Sequence, residues 1–187
     1  MISFVPIKDS EHPLYTYSEK ILVQSFPKNE YRDLPQQKEN VNSNALFSCN
    51  IIIANNPIGI INYWTFNDFC YIEHFAIDSS TRNQGYGKKV LEKLKEEIGK
   101  PFVLEVEMPD NEIAIRRVHF YERAGLKLYH KPYLQPPFRK GDDFIPMRIM
   151  GYGKELTDED FSLMKQIIYK EVYDYVENEM NGKLYIL

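Results

Sequence analysis

The stretch with the most chemical content is Tyr71–Gly87, YIEHFAIDSSTRNQGYG. Its first half reads as a strand. A loop with Arg82, Gly85 and Gly87 follows, and a helix opens directly after it. The first turn of a helix carries unpaired N–H donors at the positive end of its dipole, which suits an anion. Glycine lets the backbone come close to a pyrophosphate. The spacing here is R-x-x-G-x-G. Neither G-x-G-x-x-G nor G-x-x-x-x-G-K-[ST] is present, so dinucleotide and P-loop readings lose ground. Taken alone, the pattern also fits a tight turn that opens a helix.

The elements around this loop are read from apolar periodicity. Ile2–Ile7 predicts a first strand and Glu11–Phe26 an amphipathic helix, with Pro13 in its first turn. The polar segment Pro27–Asn44 predicts a mobile loop or short helical turns. Leu46–Ala54, Ile58–Phe66 and Phe69–Ile77 form a three-strand antiparallel meander, punctuated by Asn55-Asn56 and Asn67-Asp68. Helices follow at Gln84–Ile98 and Asn111–Ala124, with the strand Phe102–Val106 between them. Leu126–His130 and Phe144–Met150 are two last strands around the Pro-rich loop Lys131–Asp143. Thr157–Glu179 is a long final helix, capped by Thr157, with an apolar stripe of Phe161, Met164, Ile168, Val172 and Tyr175. This order gives an α/β (α+β) layer in which hairpins precede a β-α-β unit.

The composition sets limits on the class. A chain of 187 residues with 43% apolar and 14% aromatic residues is neither disordered nor collagen-like. Its net charge of −4 argues against a nucleic-acid partner. No run nears the ~20 apolar residues of a membrane helix. The start, MISFVPIKDSEHP, has no signal-peptide pattern, so a cytoplasmic location is expected. Cys49 and Cys70 read as buried, reduced thiols. No histidines or cysteines have metal-ligand spacing, and no metal is expected.

Two motifs make the chain resemble the GNAT superfamily of acetyl-CoA-dependent N-acetyltransferases. One is the [RQ]-x-x-G-x-[GA] loop, Arg82-Asn83-Gln84-Gly85-Tyr86-Gly87. The other is Phe120-Tyr121-Glu122-Arg123-Ala124-Gly125-Leu126, similar to the FYE-x-x-G-[FL] signature. The resemblance covers roughly residues 1–150. It implies a mixed, mostly antiparallel sheet flanked by helices, with the C-terminal helix as an addition. It implies that amides from Asn83 to Lys88 hold the CoA pyrophosphate. Backbone groups of Phe75, Ala76 and Ile77 would pair with the pantetheine arm. Tyr121 matches the tyrosine that protonates the departing thiolate; a packed core tyrosine is the plainer alternative. The chain departs from the family at Ala114, where many members have Asn, and at Tyr71, where many have Glu. Asn111, one turn back, fits a helix cap.

Acetyl transfer needs a neutral amine, so a group or a water must take its proton. Glu73 is the first candidate, His74 the second, and Glu105 or Glu107 the third. By strand alternation Glu73 and His74 face opposite ways, and only one lines a given cleft unless the strand bulges. Tyr133 and Gln135 stand where the family shapes its acceptor pocket.

The expected organisation is an acetyltransferase domain over 1–153 and a helical extension over 154–187, packed on that domain or on a second subunit. A monomer or homodimer is compatible with this. The expected activity is transfer of acetyl from acetyl-CoA to a primary amine, on a small molecule or a peptide. A non-catalytic acetyl-CoA sensor or scaffold of the same fold is the alternative.

Overall fold

The computed structural model describes residues 1–177. The chain divides into two compact units, Met1–Glu155 and Leu156–Leu187. In the first unit, β1 (Ser3–Ile7), α1 (Tyr15–Ser25) and α2 (Leu34–Ser43) precede the meander β2 (Phe47–Ala54), β3 (Asn56–Thr65) and β4 (Cys70–Ile77). Then come α3 (Tyr86–Ile98), β5 (Phe102–Glu107), α4 (Glu112–Arg123), β6 (Lys127–Gln135) and β7 (Ile145–Tyr152). The seven strands make one sheet in the order β1-β2-β3-β4-β5-β7-β6. Only the β4–β5 pair is parallel.

Alternation along the strands builds two layers. Ile52, Ile61, Ile72, Leu104, Val106 and Met150 turn to one face and join Val90, Leu91 and Leu94 of α3 and Val118 and Tyr121 of α4 in a common core. These side chains are almost fully removed from water, and each such burial stabilises by ~1.5–3 kcal/mol. The opposite face is covered from α1 through the segment that follows it. There Arg32 lies among the rings of Phe47, Trp64 and Phe138.

The expected mixed sheet is present, with shifts at element ends. Pro27–Asn44 is more ordered than its composition suggests, with a short 3-10 turn at Lys28–Glu30 and the ten-residue helix α2. Pro35 sits in the first turn of α2, where its missing N–H costs nothing. Strand β6 runs on to Gln135, deep into the segment expected as a Pro-rich loop. Its register against β7 slips between Tyr129 and Tyr133, which absorbs Pro132 outside the regular ladder.

In the second unit, α5 (Asp158–Tyr173) begins with a reciprocal capping box between Thr157 and Asp160. It ends sooner than the apolar stripe suggests. Asp174 takes a left-handed conformation (φ 52°) and stops the helix. Tyr175 therefore lies beyond α5, its ring 5.7 Å from that of Tyr169. Glu179, the expected last residue of this helix, lies outside the described residues. Among the described residues, no helix is long and apolar enough to cross a membrane.

Candidate active site

Strands β4 and β5 pair at three positions only: Cys70 with Phe102, Tyr71 with Val103 and Ile72 with Leu104. Beyond these, β4 continues to Ile77 and β5 to Glu107 without pairing to each other. The other edge of β4 stays paired to β3 as far as Ile77. One side of Phe75, Ala76 and Ile77 is thus an open strand edge, the geometry that accepts an extended chain.

The loop at the end of β4 leads straight to the start of α3. Arg82 Nε donates to the Ile77 carbonyl at 3.0 Å, tying the loop to the strand. Asn83 (φ 63°) and Gly85 (φ 75°) are both left-handed, which turns the chain sharply into α3. No side chain caps this helix start, and its first turn holds no acid. Its amides remain available to an anion, with Lys88 and Lys89 in the same turn. Gly87 answers to a different constraint. A Cβ there would lie 3.1 Å from the Phe120 ring, so the loop glycine and the Phe-Tyr-Glu segment pack directly together.

Tyr121 follows Phe120 on α4 and is buried in the core, 8% exposed. Burial pushes its hydroxyl up to about 12, with Arg117 lowering it and Glu107 raising it. The hydroxyl therefore keeps its proton near neutral pH. Asn111 uses its side-chain oxygen to accept from the Ile113 and Ala114 amides, so it caps α4.

On the opposite face of the sheet, the β3–β4 register slips by one residue. Asn62 pairs with His74 and Tyr63 with Ile72, which leaves Glu73 as the extra residue of a bulge. This corrects the expectation that Glu73 and His74 diverge. Both reach the same side. Glu73 receives one hydrogen bond from Arg32 Nη1, at 2.9 Å on Oε2, and its Oε1 lies in ion-pair contact with Nη2 at 2.6 Å. The His74 Nε2 lies 3.0 Å from the Glu30 carbonyl and its Nδ1 lies 3.5 Å from Glu73.

The environment of Glu73 defines its chemistry. Burial alone would raise its pKa, but Arg32 and His74 outweigh it and hold the carboxyl at about 2. With side-chain exposures of 1% for Glu73 and 5% for Arg32, the pair is a closed anchor. A carboxylate so held is a weak proton acceptor.

On β5, Glu105 accepts from the Tyr133 hydroxyl and Glu107 pairs with Arg117 of α4. Two contacts bring the β6–β7 loop onto the α1–α2 segment. Arg139 donates to Asp33 and to the Lys28 carbonyl, both at 2.6 Å. The Phe138 ring lies 4.8 Å from the Arg32 guanidinium.

Sequence reasoning missed Arg32 and Glu30. Both fall in a segment whose polarity reads as loop, and a lone Arg after a Pro-Lys-Asn run gives no signal of burial. Cys49 and Cys70 are buried thiols, Cys49 pushed up to about 12 by burial, which leaves it inert as a nucleophile. Among the described residues, no cluster of His, Cys, Asp or Glu could hold a metal ion.

The site thus combines a sheet parted between two parallel strands with an uncapped helix start at the end of one of them. Comparison with known proteins agrees. The profile of the family described as Acetyltransferase (GNAT) matches residues 11–126. A solved GNAT-family protein from Bacteroides thetaiotaomicron, provisionally named an acetyltransferase, is 43% identical, with a TM-score of 0.90 over 93% of this chain and 99% of that one. YjbC of Bacillus subtilis, also provisionally named an acetyltransferase, is 25% identical over 164 residues, 84% of each chain. A Bacillus subtilis acetyltransferase solved in complex with CoA shares the fold at 13% identity, with a TM-score of 0.56 over 83% of this chain and all of the other. The chain belongs to the GNAT acetyltransferase family.

Proposed function

We propose that the protein transfers the acetyl group of acetyl-CoA to a primary amine by direct attack in a ternary complex. The observation that carries this reading is the β4–β5 opening placed beside the uncapped start of α3. The amides from Asn83 to Lys88 would bind the pyrophosphate, with Arg82 fixing the loop. The free edge at Phe75, Ala76 and Ile77 would align the pantetheine arm, and one amide there would face the thioester oxygen. A donor aimed at a developing oxyanion contributes of order 3–4 kcal/mol. Tyr121 would give its proton to the departing sulfur. Glu73, held by Arg32, would fix the bulge and so the position of His74, and the proton of the amine would leave to another group. The acceptor is a small molecule or a peptide amine.

Calorimetric titration with acetyl-CoA, run beside a thiol-release assay over a panel of primary amines, tests the reading. Binding with amine-dependent thiol release supports it. Binding without release from any amine would favour a sensor or scaffold, and no binding would refute both.

A further inference from the structure

We propose that Glu105 of β5 takes the proton of the attacking amine, with the Tyr133 hydroxyl fixing its carboxylate; this rests on the acetyl-transfer reading above. Strands β4 and β5 part after the pair Ile72–Leu104, and Glu105 is the next residue of β5. It therefore stands at the inner end of the gap. Leu104 and Val106 join the core against α3 and α4, so by alternation Glu105 belongs to the opposite face of the sheet. Tyr121 lies on the core side. A thioester held in the gap would thus have a proton donor on one face of the sheet and a proton acceptor on the other.

Tyr133 reaches Glu105 over β7. Tyr133 pairs with Met147 of that strand and Glu105 with Ile149, so the two side chains come from its two sides. Tyr133 is 3% exposed, and its hydroxyl donates to Glu105 Oε1. A side chain packed this deeply holds the carboxylate in one orientation. A carboxylate offers about four lone-pair sites, so the bond from Tyr133 fixes it without exhausting it. Glu73 and Glu107 are gripped by the guanidinium groups of Arg32 and Arg117. A neutral hydroxyl takes less of a carboxylate's proton affinity than such a grip does. A separate observation marks the same strand face as one that receives a bound molecule. Gln135 lies two residues along β6 from Tyr133, is 2% exposed, and its Nε2 has no hydrogen-bond partner among the described residues. A buried donor left open is expected where a ligand or a water completes the set.

Glu105 takes one proton from the substrate ammonium and leaves a neutral amine. The nitrogen lone pair attacks the thioester carbonyl; the C–N bond forms and the C–S bond breaks. The sulfur leaves with the electron pair and receives the Tyr121 proton. The second nitrogen proton, released as the amide forms, restores the Tyr121 hydroxyl through water. Glu105 returns its proton to solvent, the one net proton of the reaction.

The test is the pH dependence of kcat/KM for wild type, Glu105→Gln, Glu105→Asp and Tyr133→Phe, with 1,4-diaminobutane, glucosamine and an unblocked tetrapeptide as acceptors. Acetyl-CoA affinity and thermal unfolding are measured on the same samples. Glu105→Gln keeps an oxygen that accepts from Tyr133, so affinity and unfolding should stay close to wild type. Its kcat/KM should fall by ~10²–10⁴-fold, and the acidic limb should vanish. Glu105→Asp, which keeps the carboxylate, should recover part of the rate. Tyr133→Phe deletes a hydrogen bond that favours the charged carboxylate, so the acidic limb should remain but move to higher pH. Should Glu105→Gln fail to fold, the Tyr133→Phe profile decides by itself. An unchanged rate and profile in Glu105→Gln, or an acidic limb that stays in place in Tyr133→Phe, would overturn the Glu105 assignment and leave acetyl transfer standing. Wild type that binds acetyl-CoA but releases no thiol with any acceptor would overturn both.

Discussion

Arg32 holds both carboxylate oxygens of Glu73, at 2.6 and 2.9 Å, inside a box of aromatic rings where neither side chain meets water. The guanidinium reaches this place from the short segment after α1, and the carboxylate from a bulge in the middle of the sheet. One ion pair therefore fastens the segment after α1 to strand β4. Two charges this deep gain little over two apolar groups of the same shape, but either one alone is costly.

Arg32→Met should accordingly destabilise the fold by about 3–5 kcal/mol at neutral pH, because it strands the Glu73 charge. Adding Glu73→Gln should recover much of the loss. Denaturant unfolding of the single and double variants checks this. A double variant no more stable than Arg32→Met would show that the pair is not coupled.

The same pair sets an acid response. The Glu73 carboxyl is at about 2 when folded, against an ordinary value of 4.5. A depressed carboxyl contributes stability that is fully present above the unfolded pKa and lost as pH falls through the folded one. Wild-type stability should therefore fall steeply between about pH 4.5 and pH 2, and Glu73→Gln should flatten that part of the curve. Thermal unfolding across this window reads the difference.

Tyr121→Phe keeps the ring against Phe120 and deletes only a hydroxyl held at about 12. Turnover should drop at least tenfold, within the ~10²–10⁴-fold range of general acid catalysis, while acetyl-CoA affinity stays close to wild type. Unchanged turnover in an assay limited by chemistry would return Tyr121 to a packing role.

The two loop glycines should behave differently. At Gly85 a Cβ meets nothing within 4 Å, but φ is 75°. Gly85→Val should cost about 1–2 kcal/mol of backbone strain and weaken acetyl-CoA binding at the helix start. At Gly87 the new side chain strikes the Phe120 ring, so Gly87→Val should lower thermal stability as well and disturb Tyr121 beside it. Calorimetry paired with thermal unfolding separates the two effects; equal acetyl-CoA affinity for folded Gly85→Val and wild type would argue against the loop as the pyrophosphate site.

The loop after β4 and the helices beside it are far more legible in the sequence than the buried cluster around Glu73. The loop Arg82–Gly87 and the segment Phe120–Gly125 state their geometry locally, since glycines, a helix start and a capped helix end are short-range features. The meander and the amphipathic α3 followed from periodicity for the same reason. The Glu73 bulge left no trace, because an extra residue in one strand is decided by what the neighbouring strand and the covering segment offer. Arg32 was hidden in the same way: its burial depends on Trp64, Phe47 and Phe138, which are distant in sequence. The end of α5 was misread because the apolar stripe continues to Tyr175 while Asp174 turns left-handed.

Acetyl transfer to nitrogen is the central claim, and carbon NMR of acetyl-CoA isotopically labelled at the acetyl carbonyl tests it most directly. With wild-type protein and an amine accepted in the panel, the thioester resonance should disappear and an amide resonance should replace it. The conversion should be at least tenfold slower with Tyr121→Phe. Free acetate in place of the amide, or a thioester that persists in the presence of bound protein and every amine tried, would contradict the account.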